Sequence, residues 1–211
     1  MILSISPYII GPIQNNCYLA YDPDLKEAVV IDPPIGAKTI LKEITEKGLH
    51  LKAIWITHAH FDHFAGASEL VSGLDAPLPV GLHPKELALY QNGGGAPFFG
   101  YQIPPQPEPS LFFEHGQVLS IGKYQVEVRH CPGHSSGGQI IYYIADASVA
   151  FCGDVIFHRS IGRTDLPGGN HAALLHSIRT QIMTLPPETR LLCGHGAPTT
   201  VAEEAAHNPF L

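Results

Sequence analysis

Between residues 58 and 63 the chain reads His58-Ala59-His60-Phe61-Asp62-His63, which packs three imidazoles and a carboxylate into six residues. Imidazole nitrogens and carboxylate oxygens are the donors that zinc, iron and manganese accept. One ion can hardly use all four groups and still leave a place for substrate, so the spacing points to two ions. Three further ligand-type residues share one setting, each just past an apolar run and beside glycine. They are His134 in Cys-Pro-Gly-His-Ser-Ser-Gly-Gly, Asp154 after Val-Ala-Phe-Cys-Gly, and His195 after Arg-Leu-Leu-Cys-Gly. Two divalent cations that share a water ionise it near neutral pH and polarise a carbonyl, so the chemistry such a set would serve is hydrolysis.

Groups so far apart in sequence need strands that end where the ligands begin. Alternating or continuous apolar runs bounded by turn residues predict strands over 2–10, 17–21, 28–31, 53–57, 124–129, 140–144, 149–152 and 190–193. Helical periodicity with start and stop signals predicts helices over 35–48, 65–74, 84–90, 170–183 and near 200–207. The Gly/Pro-rich stretch 91–109 predicts a long loop of the functional or mobile kind, with Phe98 and Phe99 as apolar contacts for a substrate. Strands intermix with helices and hairpins, and no internal repeat or linker appears. We therefore expect two mixed sheets packed together with helices outside, an α/β (α+β) arrangement in a single domain over residues 1–211.

Composition narrows the partners. The 211 residues are 45% hydrophobic and carry 19 acidic against 12 basic residues, a net charge of -7. That balance offers no basic footprint for nucleic acid. Cys17, Cys131, Cys152 and Cys193 are scattered without CxxC spacing and read as buried reduced thiols. The N-terminal run lacks a basic leader, and no stretch has the roughly 18 apolar residues of a membrane span. The expectation is a cytoplasmic protein acting on a small molecule, with no membrane and no nucleic-acid partner. Of the 13 histidines, His50, His83, His115, His130, His171, His176 and His207 lack ligand spacing and read as structural, while His158, close after Asp154, reads as a surface or loop residue with an outer partner of the ligands as the alternative.

The His-x-His-x-Asp-His motif, followed in order by His134, Asp154 and His195, resembles the metallo-β-lactamase fold superfamily. The resemblance runs from Asn16-Cys17-Tyr18-Leu19 to Asn208-Pro209-Phe210-Leu211. It implies an αββα sandwich with the metals along one edge. Carried over by position, His58, His60 and His134 hold the first ion, Asp62, His63 and His195 hold the second, and Asp154 bridges them. The expected cofactor is two divalent metal ions, zinc foremost, with iron or manganese as alternatives. Several true β-lactamases place cysteine where this chain has Asp154, and the flavodiiron group replaces the second histidine, here His60, with Glu. Gly153–Phe157, Ser160–Asp165 and the Glu203-Glu204…Asn208-Pro209-Phe210 ending are similar to the glyoxalase II group, particularly its single-domain members. That likeness implies thioester hydrolysis, of S-lactoylglutathione or a related hydroxyacyl thioester. Asp62 and Asp154 then serve catalysis as well as ligation, and Arg163 is a candidate for gripping a substrate carboxylate. The rivals are a persulfide dioxygenase with a single iron, which has a segment like Gly162-Arg163-Thr164-Asp165, and a lactonase.

Overall fold

A computed structural model describes residues 2–74 and 77–211. The chain begins with β1 (Ser4–Ile10), β2 (Asn15–Tyr21) and β3 (Glu27–Ile31), then α1 (Ile40–Lys47), β4 (His50–Trp55), α2 (Ala67–Ser72), β5 (Val80–Leu82), α3 (Leu87–Gln91) and β6 (Leu111–Phe112). There follow β7 (Val118–Ile121), β8 (Tyr124–His130), β9 (Ile140–Ile144), β10 (Val149–Gly153) and the short hairpin β11 (Ile156–Phe157) and β12 (Ser160–Ile161). α4 (His171–Ser177), β13 (Arg190–Cys193), β14 (Thr199–Thr200) and α5 (Val201–His207) complete it. The first sheet has the order β1-β2-β3-β4-β5-β6, antiparallel up to β3 and parallel beyond it. The second has the order β14-β13-β10-β9-β8-β7, with β10 and β13 parallel. Both sheets are mixed, as expected.

Alternation along the strands builds three apolar layers. Tyr18, Ala20, Val29 and Ile31 face the second sheet, where Val126, Val128, Tyr142 and Phe151 meet them. Their neighbours Cys17, Leu19, Ala28 and Val30 point the other way, onto Ile40 and Ile44 of α1 and Leu70 of α2. On the far side Ile141, Ala150 and Cys152 pack against Leu174 of α4 and Ile178. Strands buried on both faces read as unbroken apolar runs, which is why 28–31 and 140–144 were recognisable as strands. The result is the αββα sandwich, helix–sheet–sheet–helix. Among the described residues no helix is long and apolar enough to cross a membrane, and all four cysteines are buried free thiols.

Three details differ from expectation. The helix expected over 170–183 is α4 followed by a wider π-type turn, Ile178–Ile182. The helix expected over 84–90 is a tight turn, Pro84–Glu86, that runs into α3. The 91–109 stretch contains tight helical turns over Gly93–Phe99 and is pinned at several points. Tyr90 Oη donates to the Pro107 carbonyl at 2.7 Å, Gln106 Nε2 to the Ala65 carbonyl at 3.0 Å, and the Tyr101 ring lies 5.2 Å from that of Phe61.

Candidate metal centre

Strand direction decides where the seven residues arrive. β3 and β4 run parallel, as do β10 and β13, and β8 is separated from β10 by one antiparallel strand, β9. All five therefore end on the same edge of the sandwich. His58–His63 follow β4, His134 follows β8, Asp154 follows β10 and His195 follows β13. The two sheets are stitched together there by backbone hydrogen bonds, from Ile140 N to the Thr57 carbonyl at 2.9 Å and from Asn16 N to the Gly194 carbonyl at 2.7 Å. Gly194 is required by the crowding, because a Cβ at that position would lie 2.2 Å from Asp154 Oδ1 and 2.7 Å from His63 Cε1.

The side chains converge as three overlapping groups, each with its ligand atoms mutually within 4.8 Å: His58, His60 and His134; His58, His63 and Asp154; and Asp62, His63 and His195. His60 Nδ1 lies 3.0 Å from His58 Nε2 and 2.9 Å from His134 Nε2. His195 Nε2 lies 3.1 Å from Asp62 Oδ2. Asp154 stands between the groups, with Oδ1 3.4 Å from His63 Nε2, and Oδ2 3.6 Å from His134 Nε2 and 3.7 Å from His195 Nε2.

Outer hydrogen bonds fix which nitrogen each ring presents. His134 Nδ1 donates to the Arg163 carbonyl at 2.7 Å. His63 Nδ1 donates to Asp32 Oδ2 at 3.0 Å. Thr57 Oγ1 gives its proton to Asp32 Oδ2 at 2.7 Å and so accepts from His58 Nδ1 at 3.2 Å. Three rings thus spend Nδ1 outward and turn Nε2 inward. Burial, then the neighbouring rings, holds His58 well below the usual histidine range and brings His60 down to about 3. Burial, the largest single effect, opposes charge on Asp62 and Asp154 as well, yet His63 and the other facing histidines together outweigh it and both carboxyls sit below their ordinary value. His63 and His195 are raised against their burial by the facing aspartates.

These groups fit cations. Nitrogens of three imidazoles crowd one point, and two buried atoms aimed into the cluster, His63 Nε2 and Asp154 Oδ1, have no hydrogen-bond partner. Unpartnered buried polar atoms are costly unless a ligand meets them. Above the cluster opens a cavity of about 370 Å³ walled by Ile13, Phe61, Phe99, Phe157, Ile161 and Leu166.

Of the three residues expected to touch substrate, Phe99 lines this cavity, while Phe98 is 79% exposed and lies outside it. Arg163 is at the rim, but its guanidinium is engaged by Asp165 through two 2.7 Å contacts. What Arg163 gives the centre is its backbone carbonyl, under His134. Sequence reasoning missed Asp32, Thr57 and Glu86. Asp32 carried a usable signal, since it directly follows the Ala28–Ile31 run as Asp154 follows its own strand; Glu86 carried none.

An αββα sandwich with a His/Asp cluster along one edge defines a class of metallo-hydrolases. The chain belongs to the metallo-beta-lactamase superfamily, whose family model matches residues 10–195. It is 40% identical to the probable metallo-hydrolase YqgX of Bacillus subtilis, over 96% of this chain and 94% of that one. It is 36% identical to the hydroxyacylglutathione hydrolase GloC of Haemophilus influenzae, over 96% of this chain and 95% of the relative. Among solved structures, BLEG-1, described as a B3 metallo-beta-lactamase, superposes with TM-score 0.91 at 38% identity, covering 99% of both chains. TTHA1623 in a di-iron-bound form does so with TM-score 0.88 at 40% identity, covering 98% of this chain and 100% of that one.

Proposed function

We propose that this protein is a dinuclear metallo-hydrolase that cleaves thioesters, hydroxyacyl-glutathione thioesters foremost. The observation that carries the dinuclear reading is the placement of Asp154, whose Oδ2 lies 3.6 Å from His134 Nε2 of one group and 3.7 Å from His195 Nε2 of the other. In this reading His58, His60 and His134 hold one cation, Asp62, His63 and His195 the other, and Asp154 joins them. Bound divalent cations supply a water nucleophile that ionises near neutral pH and a Lewis acid for the acyl oxygen.

The chain's own residues do the rest. Asp62 and Asp154 line the cavity floor and orient the attacking water toward the acyl carbon. Phe99, Phe157, Ile161 and Leu166 exclude bulk water and take up apolar parts of the substrate. Apart from Arg163, every titratable residue lining the cavity belongs to the seven. A thiolate is a suitable leaving group for such a site, because its parent acid has a pKa of about 8.5 and needs little protonation to depart. The likeness to GloC supports the glutathione thioester. The BLEG-1 likeness favours β-lactam hydrolysis as a second reading, although Asp154 stands where several β-lactamases have cysteine. The di-iron form of TTHA1623 keeps iron beside zinc as the metal.

The test is anaerobic thiol release from S-lactoylglutathione by protein with its metals counted. Thiol release without oxygen and close to two metals per chain are expected, with a β-lactam turned over poorly. Absence of thiol release, together with oxygen uptake on glutathione persulfide by a protein holding one iron, would overturn the hydrolase reading.

A further inference from the structure

Glu86, at the end of the turn before α3, is completely buried (0% exposed). Carboxylates are almost never so buried unless fully partnered. Its partners come from two distant loops. Oε2 accepts from Ala59 N at 2.8 Å, the peptide group between His58 and His60. Oε1 accepts from Ser135 Oγ at 2.8 Å, on the residue after His134, and from Gly138 N at 2.9 Å. The approach of the second loop needs glycine at 138, where a Cβ would lie 2.9 Å from Glu86 Cγ and 3.0 Å from Glu86 N.

One loop leaves the first sheet and the other leaves the second. The first carries His58 and His60 on either side of the gripped Ala59, with Asp62 and His63 further along it, and the second carries His134 next to the gripped Ser135. The three imidazole nitrogens stand 2.9–3.0 Å apart in succession, so a cation shared by all three requires the two loops to be held at a defined spacing. We propose that Glu86 is a positioning residue that ties the two loops at the spacing the first cation requires. Asp32 lies beneath His63 and reaches His58 only through Thr57, whereas the contacts of Glu86 fall on the two loops at Ala59, Ser135 and Gly138. This inference rests on the metal-holding reading of the cluster and goes beyond it, by assigning Glu86 to one position alone.

Glu86→Gln tests it. Glutamine offers one acceptor oxygen, so either Ala59 N–H or Gly138 N–H must face an amide NH2. Crystals of the parent and of the variant, each given one equivalent of zinc per chain, yield the occupancy of each position from anomalous scattering at the zinc edge. Outer hydrogen-bond partners of metal ligands are worth roughly 10–100-fold in affinity. The occupancy ratio should therefore shift by about that factor toward the Asp62/His63/His195 position. Ser135→Ala, which removes one of the three bonds, should shift it the same way by less, and it carries the test if Glu86→Gln does not fold. An unchanged ratio, or equal losses at both positions, overturns the inference while leaving the dinuclear reading intact. A parent protein that takes zinc at neither position overturns the metal reading itself.

Discussion

Replacing Asp32 by asparagine disturbs a support that meets His63 of the second metal position directly and His58 only through Thr57. Asp32 Oδ1 accepts from Thr57 N at 2.7 Å, and Oδ2 accepts both from Thr57 Oγ1 at 2.7 Å and from His63 Nδ1 at 3.0 Å. Asparagine keeps the shape but has one oxygen and one NH2. With its oxygen toward His63, the NH2 confronts Thr57 N–H and leaves a buried backbone donor unpaired, a cost of about 1–3 kcal/mol. With its NH2 toward His63, the ring keeps its proton on Nε2, which points at the metal position. Metal-free protein is free to adopt the second arrangement, whereas cation binding demands the first. The cost thus falls on binding, and at 1.4 kcal/mol per factor of ten it weakens the second metal by roughly 5- to 150-fold. Chelator competition in solution, with two binding steps resolved, measures this. Melting of the metal-free variant should stay near the parent's. Two metals held as tightly as in the parent would refute the tautomer argument, and a collapsed metal-free fold would show that Asp32 acts on stability instead.

Asp154→Ala removes the one carboxylate shared between the groups; it should cost metal and lower kcat by at least about 100-fold, checked by metal analysis beside steady-state kinetics. Phe99→Ala should mainly raise KM or change acyl preference, since the ring contacts bound substrate in ground and transition states alike, while Phe98→Ala should leave both constants near the parent's. A fall in metal content in either variant would contradict this. The pH dependence of His60 has a definite sign in metal-free protein. With its folded value brought to about 3 against an ordinary 6.5, its stabilising contribution is present above 6.5 and is lost as pH falls toward 3. Between pH 7 and 5 that loss is about 2 kcal/mol. The metal-free His60→Gln variant should therefore gain in Tm relative to the parent over that interval, and a constant difference would refute it.

Much of this architecture was legible because burial writes itself into residue type. Ile140–Ile144 and Arg190–Cys193 fall on the expected boundaries, since strands covered on both faces leave continuous apolar runs. β5, β6, β11, β12 and β14 went unseen because two or three residues are too few to show a period. The seven cluster residues stood out by motif and by their place after apolar runs. Their supports did not, because nothing local marks Glu86 or Thr57 as a hydrogen-bond partner of a distant loop. Arg163 shows the converse limit: its side chain drew attention, and a backbone atom that sequence cannot flag meets His134.

The stitched edge of the sandwich also sets an order of events during synthesis. Asp62 and His195, which meet in the cluster, are 133 residues apart in the chain, and Asn16 reaches the Cys193 carbonyl across 177. At roughly 5–20 residues per second on the ribosome, about 7 to 27 seconds separate the emergence of the six-residue motif from that of its last partner. During that interval the nascent chain displays His58, His60 and His63 as an open chelating peptide without its second sheet. Selection of the correct metal therefore has to come after closure of the fold, when the geometry that discriminates among cations first exists.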